Sequence, residues 1–246
     1  MIMGGGVLLA IRYGSTRFTR DIDFSTSRTA QDFDLARFES TLGESLSQTV
    51  ERLGYGLNCR IQKCKIYPTK EGASFPSVEI NIGYAYKHEH RAHRRLLNGM
   101  SPTIVTLDYS LNEAISDREV FELQPGGQLH AYTLVDLVAE KLRSILQQEV
   151  RNRARRQDSY DIHLLITQLS LEHNVKFKAK VLRSLREKAS SRHLTITRES
   201  MSDPKIIRRS RAEYHTLAGE INGALLPFEL TYESVRTFYE SLPWGE

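Results

Sequence analysis

Apolar positions change their spacing partway along this chain. In the first half they recur every second residue in R-D-I-D-F (20–24), where Ile22 and Phe24 alternate with Asp21 and Asp23, and again in S-V-E-I-N-I, where Val78, Ile80 and Ile82 share one face. This is the signature of half-buried strands. L-N-C-R-I-Q-K-C-K-I-Y and P-S-V-E-I-N-I-G-Y are expected to form a hairpin across a T-K-E-G turn, with T-I-V-T-L-D-Y a further extended piece. One helix interrupts them at 31–53, where Phe38, Leu42, Leu46, Val50 and Leu53 keep helical spacing. From Thr133 onward the spacing is helical throughout. Thr133 caps Y-T-L-V-D-L-V-A-E-K-L-R-S-I-L with Asp136 three residues on, a second helix covers Asp158–Leu169, and a last amphipathic stretch runs from Tyr232 to Leu242. The pattern predicts an α+β protein, a small mixed sheet followed by a helical domain. P-G-G at 125–127 marks the boundary, giving domains 1–127 and 128–246.

Composition narrows the class. With 246 residues the chain is long enough for one large domain or two modest ones, and 40% hydrophobic residues supply a core. No apolar run is long enough to span a bilayer, and no signal peptide is apparent, so the expected setting is the cytoplasm with no membrane partner. Cys59 and Cys64 read as reduced thiols of an intracellular protein. The formal charge of +4 is uneven: Lys176–Arg211 carries twelve Lys/Arg against three Asp/Glu. Such a segment either coats a solvated helix or meets a phosphate backbone such as RNA. The K-H-E-H-R-A-H stretch (87–93) has histidines at metal-binding density, but its arginine neighbours would repel a cation, and it reads as a solvated, RNA-facing loop. Trp244 reads as a packing anchor.

The acids carry the candidate chemistry. In a strand Asp21 and Asp23 emerge side by side, which costs free energy unless a cation sits there; Arg17 and Arg20 offer a local salt-bridge answer. Glu79 repeats the pattern of acid out and branched apolar in. If its strand lies in the same sheet, Asp21, Asp23 and Glu79 converge on one patch, an oxygen-rich set suited to Mg²⁺. The glycine cluster before V-L-L-A-I would let backbone N–H groups approach phosphate at a helix N-terminus.

Two helical features extend this. Lys141 lies inside the apolar stripe of Leu134, Leu137, Val138, Leu142 and Ile145, so it must snorkel, meet an acid or supply a cation to the anionic site, while Arg143 falls on the opposite, solvated side. Asp158 and Asp161 share a packing face with Ile162 and Leu165. Asp158 suits a helix cap, and Asp161 requires a buried cation such as Lys141 or an arginine of the preceding basic stretch.

Taken in order, G-G-V-L-L-A-I-R-Y-G-S-T-R-F-T-R-D-I-D-F, V-E-I, L-V-A-E-K-L-R-S-I-L and D-S-Y-D-I-H-L-L resemble the AbiEii toxin family of the DNA polymerase β-type nucleotidyltransferase superfamily. The resemblance implies a minimal nucleotidyltransferase fold, two Mg²⁺ ions, a nucleoside triphosphate donor, an acceptor hydroxyl on RNA such as tRNA, and a separately encoded antitoxin. It implies phosphate binding by Gly5 and Gly6, metal binding by Asp21, Asp23 and Glu79, and further site roles for Lys141, Asp158 and Asp161. Val7 departs from the Ser or Thr expected after the glycines, and Gln157 from the usual Arg or Lys. The chain also starts almost at the glycines, where the family has an upstream helix, which suggests a misplaced start or a truncated copy. Val7 and the short start motivate one alternative, a degenerate homologue that binds nucleotide or a partner without chemistry. The resemblance to the superfamily implies a second, transfer to a protein or small molecule, as its antibiotic-modifying members do.

Overall fold

Alternation becomes strand and helical spacing becomes helix where the core requires it. The computed structural model describes residues 1–68, 74–123 and 127–245. In chain order its elements are β1 (Ile2–Met3), α1 (Gly5–Tyr13), β2 (Asp21–Ser25), α2 (Leu35–Leu53), β3 (Leu57–Tyr67), β4 (Ser77–Tyr86), α3 (His90–Leu97), β5 (Ile104–Ser110), β6 (Arg118–Glu122), β7 (Gln128–Tyr132), α4 (Leu134–Leu146), α5 (Gln148–Arg151), α6 (Arg156–Gln168), α7 (Val175–Ser191), α8 (Pro204–Arg211) and α9 (Phe228–Glu240). The T-K-E-G turn lies outside the described residues, as do Pro125 and Gly126 of P-G-G.

The chain divides into two compact units, Met1–Met3 with Arg20–Glu113, and Gly4–Thr19 with Ala114–Glu246. In the first, five strands lie in the order β3-β4-β5-β2-β1. β2 and β5 run parallel, while β3–β4, β4–β5 and β1–β2 are antiparallel, so the sheet is mixed. One face is apolar: Val78, Ile80, Leu107, Tyr109 and Leu111 are buried, and Ile22, Phe24, Leu35, Phe38 and Leu42 pack against them. Val78 and Ile80 have no exposed surface, a burial that contributes about 1.5–3 kcal/mol per side chain. α2 covers this face. Asp34 caps it by accepting from Arg37 N–H at 3.0 Å, and Gly54, at φ 72°, ends it in the left-handed conformation that favours glycine. Cys59 and Cys64 are free thiols, and burial, then Glu39, pushes the Cys64 thiol up to about 11.

The second unit takes in more chain than the boundary at P-G-G implies: the β6–β7 hairpin and residues 4–19 belong with the helices. Their ties are specific. Ser116 and Asp117 donate backbone N–H to the Asp136 carboxylate, Lys188 donates to Ala114 O at 2.6 Å, and Phe18 N–H donates to Glu220 O. Thr133 caps α4 by accepting from Asp136 N–H at 3.3 Å. The Asp136 side chain, however, serves Ser116, Asp117 and Ser184 rather than closing a capping box. Leu137, Val138, Leu142 and Ile145 are buried as the stripe requires. Arg143 is buried as well, bonded to Glu140 and Gln147, because α4 packs against both α6 and α7 and has no fully solvated side. Trp244 anchors the C-terminal stretch as expected: its ring lies 4.8 Å from that of Tyr239, and its indole N–H donates to Tyr239 O at 2.9 Å.

Candidate active site

The polar face of the first unit's sheet gathers the acids. Parallel register sets Asp21 opposite Thr106 and Asp23 opposite Asp108. Alternation sends the side chains of all four to the face away from Ile22, Phe24, Leu107 and Tyr109. Asp21, Asp23 and Asp108 each bring a carboxylate oxygen within 4.8 Å of the other two, at intermediate burial. Three hard anionic donors at this separation fit a small hard cation such as Mg²⁺, which takes one or two carboxylates and completes its shell with water and phosphate oxygens.

Asp108 is the residue the sequence reading passed over, and Glu79 is not in the group. Antiparallel register places Glu79 opposite Asp108, so Asp23, Asp108 and Glu79 form one row across β2, β5 and β4. Glu79 therefore shares the face but stands two strands from Asp23, about 10 Å at ordinary strand spacing. Its carboxylate is also engaged. Lys63 Nζ on β3 donates to Glu79 Oε1 at 2.7 Å, a cross-hairpin partner invisible to parity along one strand. L-D-Y in β5 has the same signal that drew attention to V-E-I.

A second cluster lies within the second unit. Arg17 forms a bidentate pair with Asp161, Nε to Oδ1 and Nη2 to Oδ2, both at 2.9 Å. Lys141 Nζ donates to Asp161 Oδ2 at 2.8 Å and to Asp158 Oδ1 at 2.9 Å. None of the four residues is more than 9% exposed. Burial pushes both cations down and Asp161 up, but the opposite charges outweigh it, so Arg17 and Lys141 are raised and Asp161 is lowered. Lys141 does not snorkel. Lys141 meets Asp161 as expected, but the arginine that joins it is Arg17, from near the N-terminus, and not one of the basic stretch just before Asp158. Asp158 lies inside the first turn of α6, whose N-cap is Arg155, and its Oδ2 is buried without a hydrogen-bond partner among the described residues.

The glycines are shaped by this cluster. Gly5 has φ 65°, and a Cβ on Gly6 would sit 3.0 Å from Arg17 Nη2 and from Thr19 Cβ. A Cβ on Gly4 would meet the Tyr132 ring at 2.9 Å. The three glycines thus admit a left-handed turn and close packing at the start of α1, whose first-turn N–H groups are free of intrahelical partners by geometry. The histidines of the 87–93 stretch belong to no metal-ligand group among the described residues. His93 Nε2 instead lies 3.0 Å from Asn58 Nδ2. No described helix is long and apolar enough to cross a membrane.

Three strand-borne carboxylates on a mixed sheet, in a chain that adds a helical unit, are the features of a nucleotidyltransferase. Comparison with a solved structure agrees on the fold. A protein of H. pylori assigned as a nucleotidyltransferase aligns over 98% of this chain and 85% of its own, with 16% identity and a TM-score of 0.52. MenT4, a nucleotidyltransferase toxin of Mycobacterium tuberculosis H37Rv, aligns over 97% and 73% with 13% identity and a TM-score of 0.49. No curated protein matches the chain. The family model described as the nucleotidyl transferase AbiEii toxin, type IV toxin–antitoxin system, matches residues 1–241, and the chain belongs to that family.

Proposed function

We propose that this enzyme transfers a nucleotide from a nucleoside triphosphate, with Mg²⁺, to an acceptor hydroxyl on RNA, tRNA being the first candidate, and that a cognate antitoxin restrains it. The observation that carries this reading is the convergence of Asp21, Asp23 and Asp108 within 4.8 Å. These three would hold the metal. Bound there, Mg²⁺ supplies positive charge against the triphosphate and eases ionisation of the attacking hydroxyl. Asp21 and Asp23, two apart on one strand, and Asp108, fixed by parallel pairing, keep their spacing because Ile22, Phe24, Leu107 and Tyr109 are locked in the core behind them.

The other family positions support the reading in different ways. Gly5 and Gly6 leave backbone N–H groups to orient phosphate, and with Val7 following, that turn binds through the backbone alone. Lys141 is already neutralised by two carboxylates, so its role is to hold Asp158 and Asp161 rather than to meet phosphate directly. Asp158 Oδ2, buried and without a hydrogen-bond partner among the described residues, belongs to the same supporting network. Glu79, tied to Lys63, stays outside the metal set.

The test is incubation with each labelled nucleoside triphosphate, Mg²⁺ and total tRNA. Label should appear on RNA with wild type and not with Asp23→Ala. Absence of label from wild type, or equal labelling by the variant, would refute the proposal, and nucleotide binding without turnover would favour a degenerate homologue.

A further inference from the structure

The cations of the basic C-terminal segment are partly spent inside the protein. Lys188 is buried and donates to Ala114 O, Arg209 bonds Glu149, Arg211 pairs with Glu229, and Arg186 donates to Trp244 O. What remains includes Lys176, Lys180 and Arg183, exposed along one side of α7.

The corner of the first unit where β4 runs into α3 is different. Lys87, Arg91, Arg94 and Arg95 are all exposed, and among the described residues none of the four joins an ion pair. The one acid of the stretch is turned back on the turn, Glu89 Oε2 accepting from Tyr86 N–H at 3.2 Å. α3 is anchored from beneath, by fully buried Leu96 and by the contact of His93 with Asn58. Arg91 and Arg94 are thereby presented outward on a fixed helix, with Arg95 Nε donating to Met100 O at 3.3 Å, beside a concavity of about 400 Å³ lined by Glu89, His90, Arg91, Ala92, Arg95 and Pro102.

Flat rings stand next to this charge. Tyr86 is 39% exposed and stacks on His88, with centroids 5.3 Å apart and planes 26° from parallel. Tyr55 is 57% exposed in the loop whose Gly56 O accepts from Lys87 N–H at 2.8 Å. Unpaired cations interleaved with exposed aromatic rings are what unpaired nucleotides require, the cations for phosphates and the rings for bases. An acidic polypeptide would use the charges and leave the rings idle.

We propose that this corner binds single-stranded RNA, with phosphates on Arg91, Arg94 and Arg95 and bases against Tyr86 and Tyr55. The proposal rests on the reading of RNA as acceptor. It is tested by fluorescence anisotropy of labelled tRNA and of a labelled single-stranded oligoribonucleotide on the full chain. Without nucleotide and with chelator present, no transfer can occur.

The combined Arg91→Ala, Arg94→Ala and Arg95→Ala variant should weaken binding about 30-fold or more and flatten the slope of log K against log salt by about 2. Tyr86→Ala should cost about tenfold. The matching Arg→Lys set should recover most of the affinity, which separates charge from misfolding. Lys176→Ala with Lys180→Ala and Arg183→Ala should stay within about twofold of wild type, since none of the three belongs to the proposed surface. The proposal is overturned if wild type binds no RNA, if the arginine variant binds as wild type does, if the α7 variant causes the loss, or if polyglutamate competes as well as RNA. Loss of transfer in the Mg²⁺ assay with RNA binding intact breaks only the catalytic reading, and the reverse breaks only this one.

Discussion

Asp21, Asp23 and Asp108 place three like charges together at intermediate burial, whereas Arg17, Lys141, Asp158 and Asp161 balance two cations against two carboxylates with almost no exposure. Like charges held together by strand register repel one another, and a bound cation offsets that repulsion. Opposite charges with well-formed hydrogen bonds satisfy each other, and their cost was met when the surrounding helices packed. The first arrangement is built to take a ligand. The second is built to hold a shape.

Breaking the balanced cluster should give the largest stability effect. Asp161→Ala leaves Arg17 and Lys141 buried with only Asp158 between them, and should destabilise the protein by about 3–5 kcal/mol in urea unfolding. Asp23→Asn, removing a like charge, should leave the unfolding midpoint unchanged or higher. If both variants lose similar stability, the contrast fails.

Gly6→Ala tests the same cluster through packing. The added methyl reaches Arg17 Nη2 and Thr19, and the shift needed should cost about 1–3 kcal/mol. An unchanged urea midpoint would show that Arg17 is not held against the glycine.

The pH dependence follows from the directions of the shifts. Asp161 is lowered in the folded protein, so its contribution is present above the ordinary carboxylate value of 3.8 and is lost as pH falls through its lower folded value. Lys141 is raised, so its contribution is present below 10.5 and is lost as pH rises through its higher folded value. The cluster should therefore stabilise across the whole neutral range. Asp161→Ala should reduce the slope of unfolding free energy against pH on the acid side, as measured by urea melts from pH 5 downward.

The smallest effect is expected at the sheet surface. The Lys63–Glu79 pair is about one-third exposed at both side chains, and Lys63→Ala should leave the urea midpoint where it is. A clear drop would mean that the pair braces the hairpin.

Much of this organisation is legible in the sequence because it is local. Alternation in D-I-D-F and V-E-I-N-I assigns faces correctly, Thr133 declares a cap, and an acid at 161 on an apolar face demands a cation. Partnership between distant segments is where local reading stops. D-I-D-F, V-E-I and L-D-Y all put an acid opposite branched or aromatic residues, and only the parallel pairing of β2 with β5 chooses Asp108 over Glu79. Arg17 lies four residues from Asp21, yet its partner is Asp161, because the loop carrying it pairs with residues 220–222. Arg143 looks solvated on an isolated helical wheel and is buried in the protein, since a wheel cannot show that α4 is packed by two neighbours.

The most direct measurement is Mg²⁺-dependent nucleotide transfer by Asp108→Asn and Glu79→Gln, assayed side by side with wild type. On the proposed reading Asp108 holds the metal, and its loss removes several kcal/mol of transition-state stabilisation, so Asp108→Asn should lose about a thousandfold or more in rate. Glu79→Gln should remain within about threefold, on the order of half a pK unit in energy. An active Asp108→Asn enzyme beside an inactive Glu79→Gln enzyme would contradict the account.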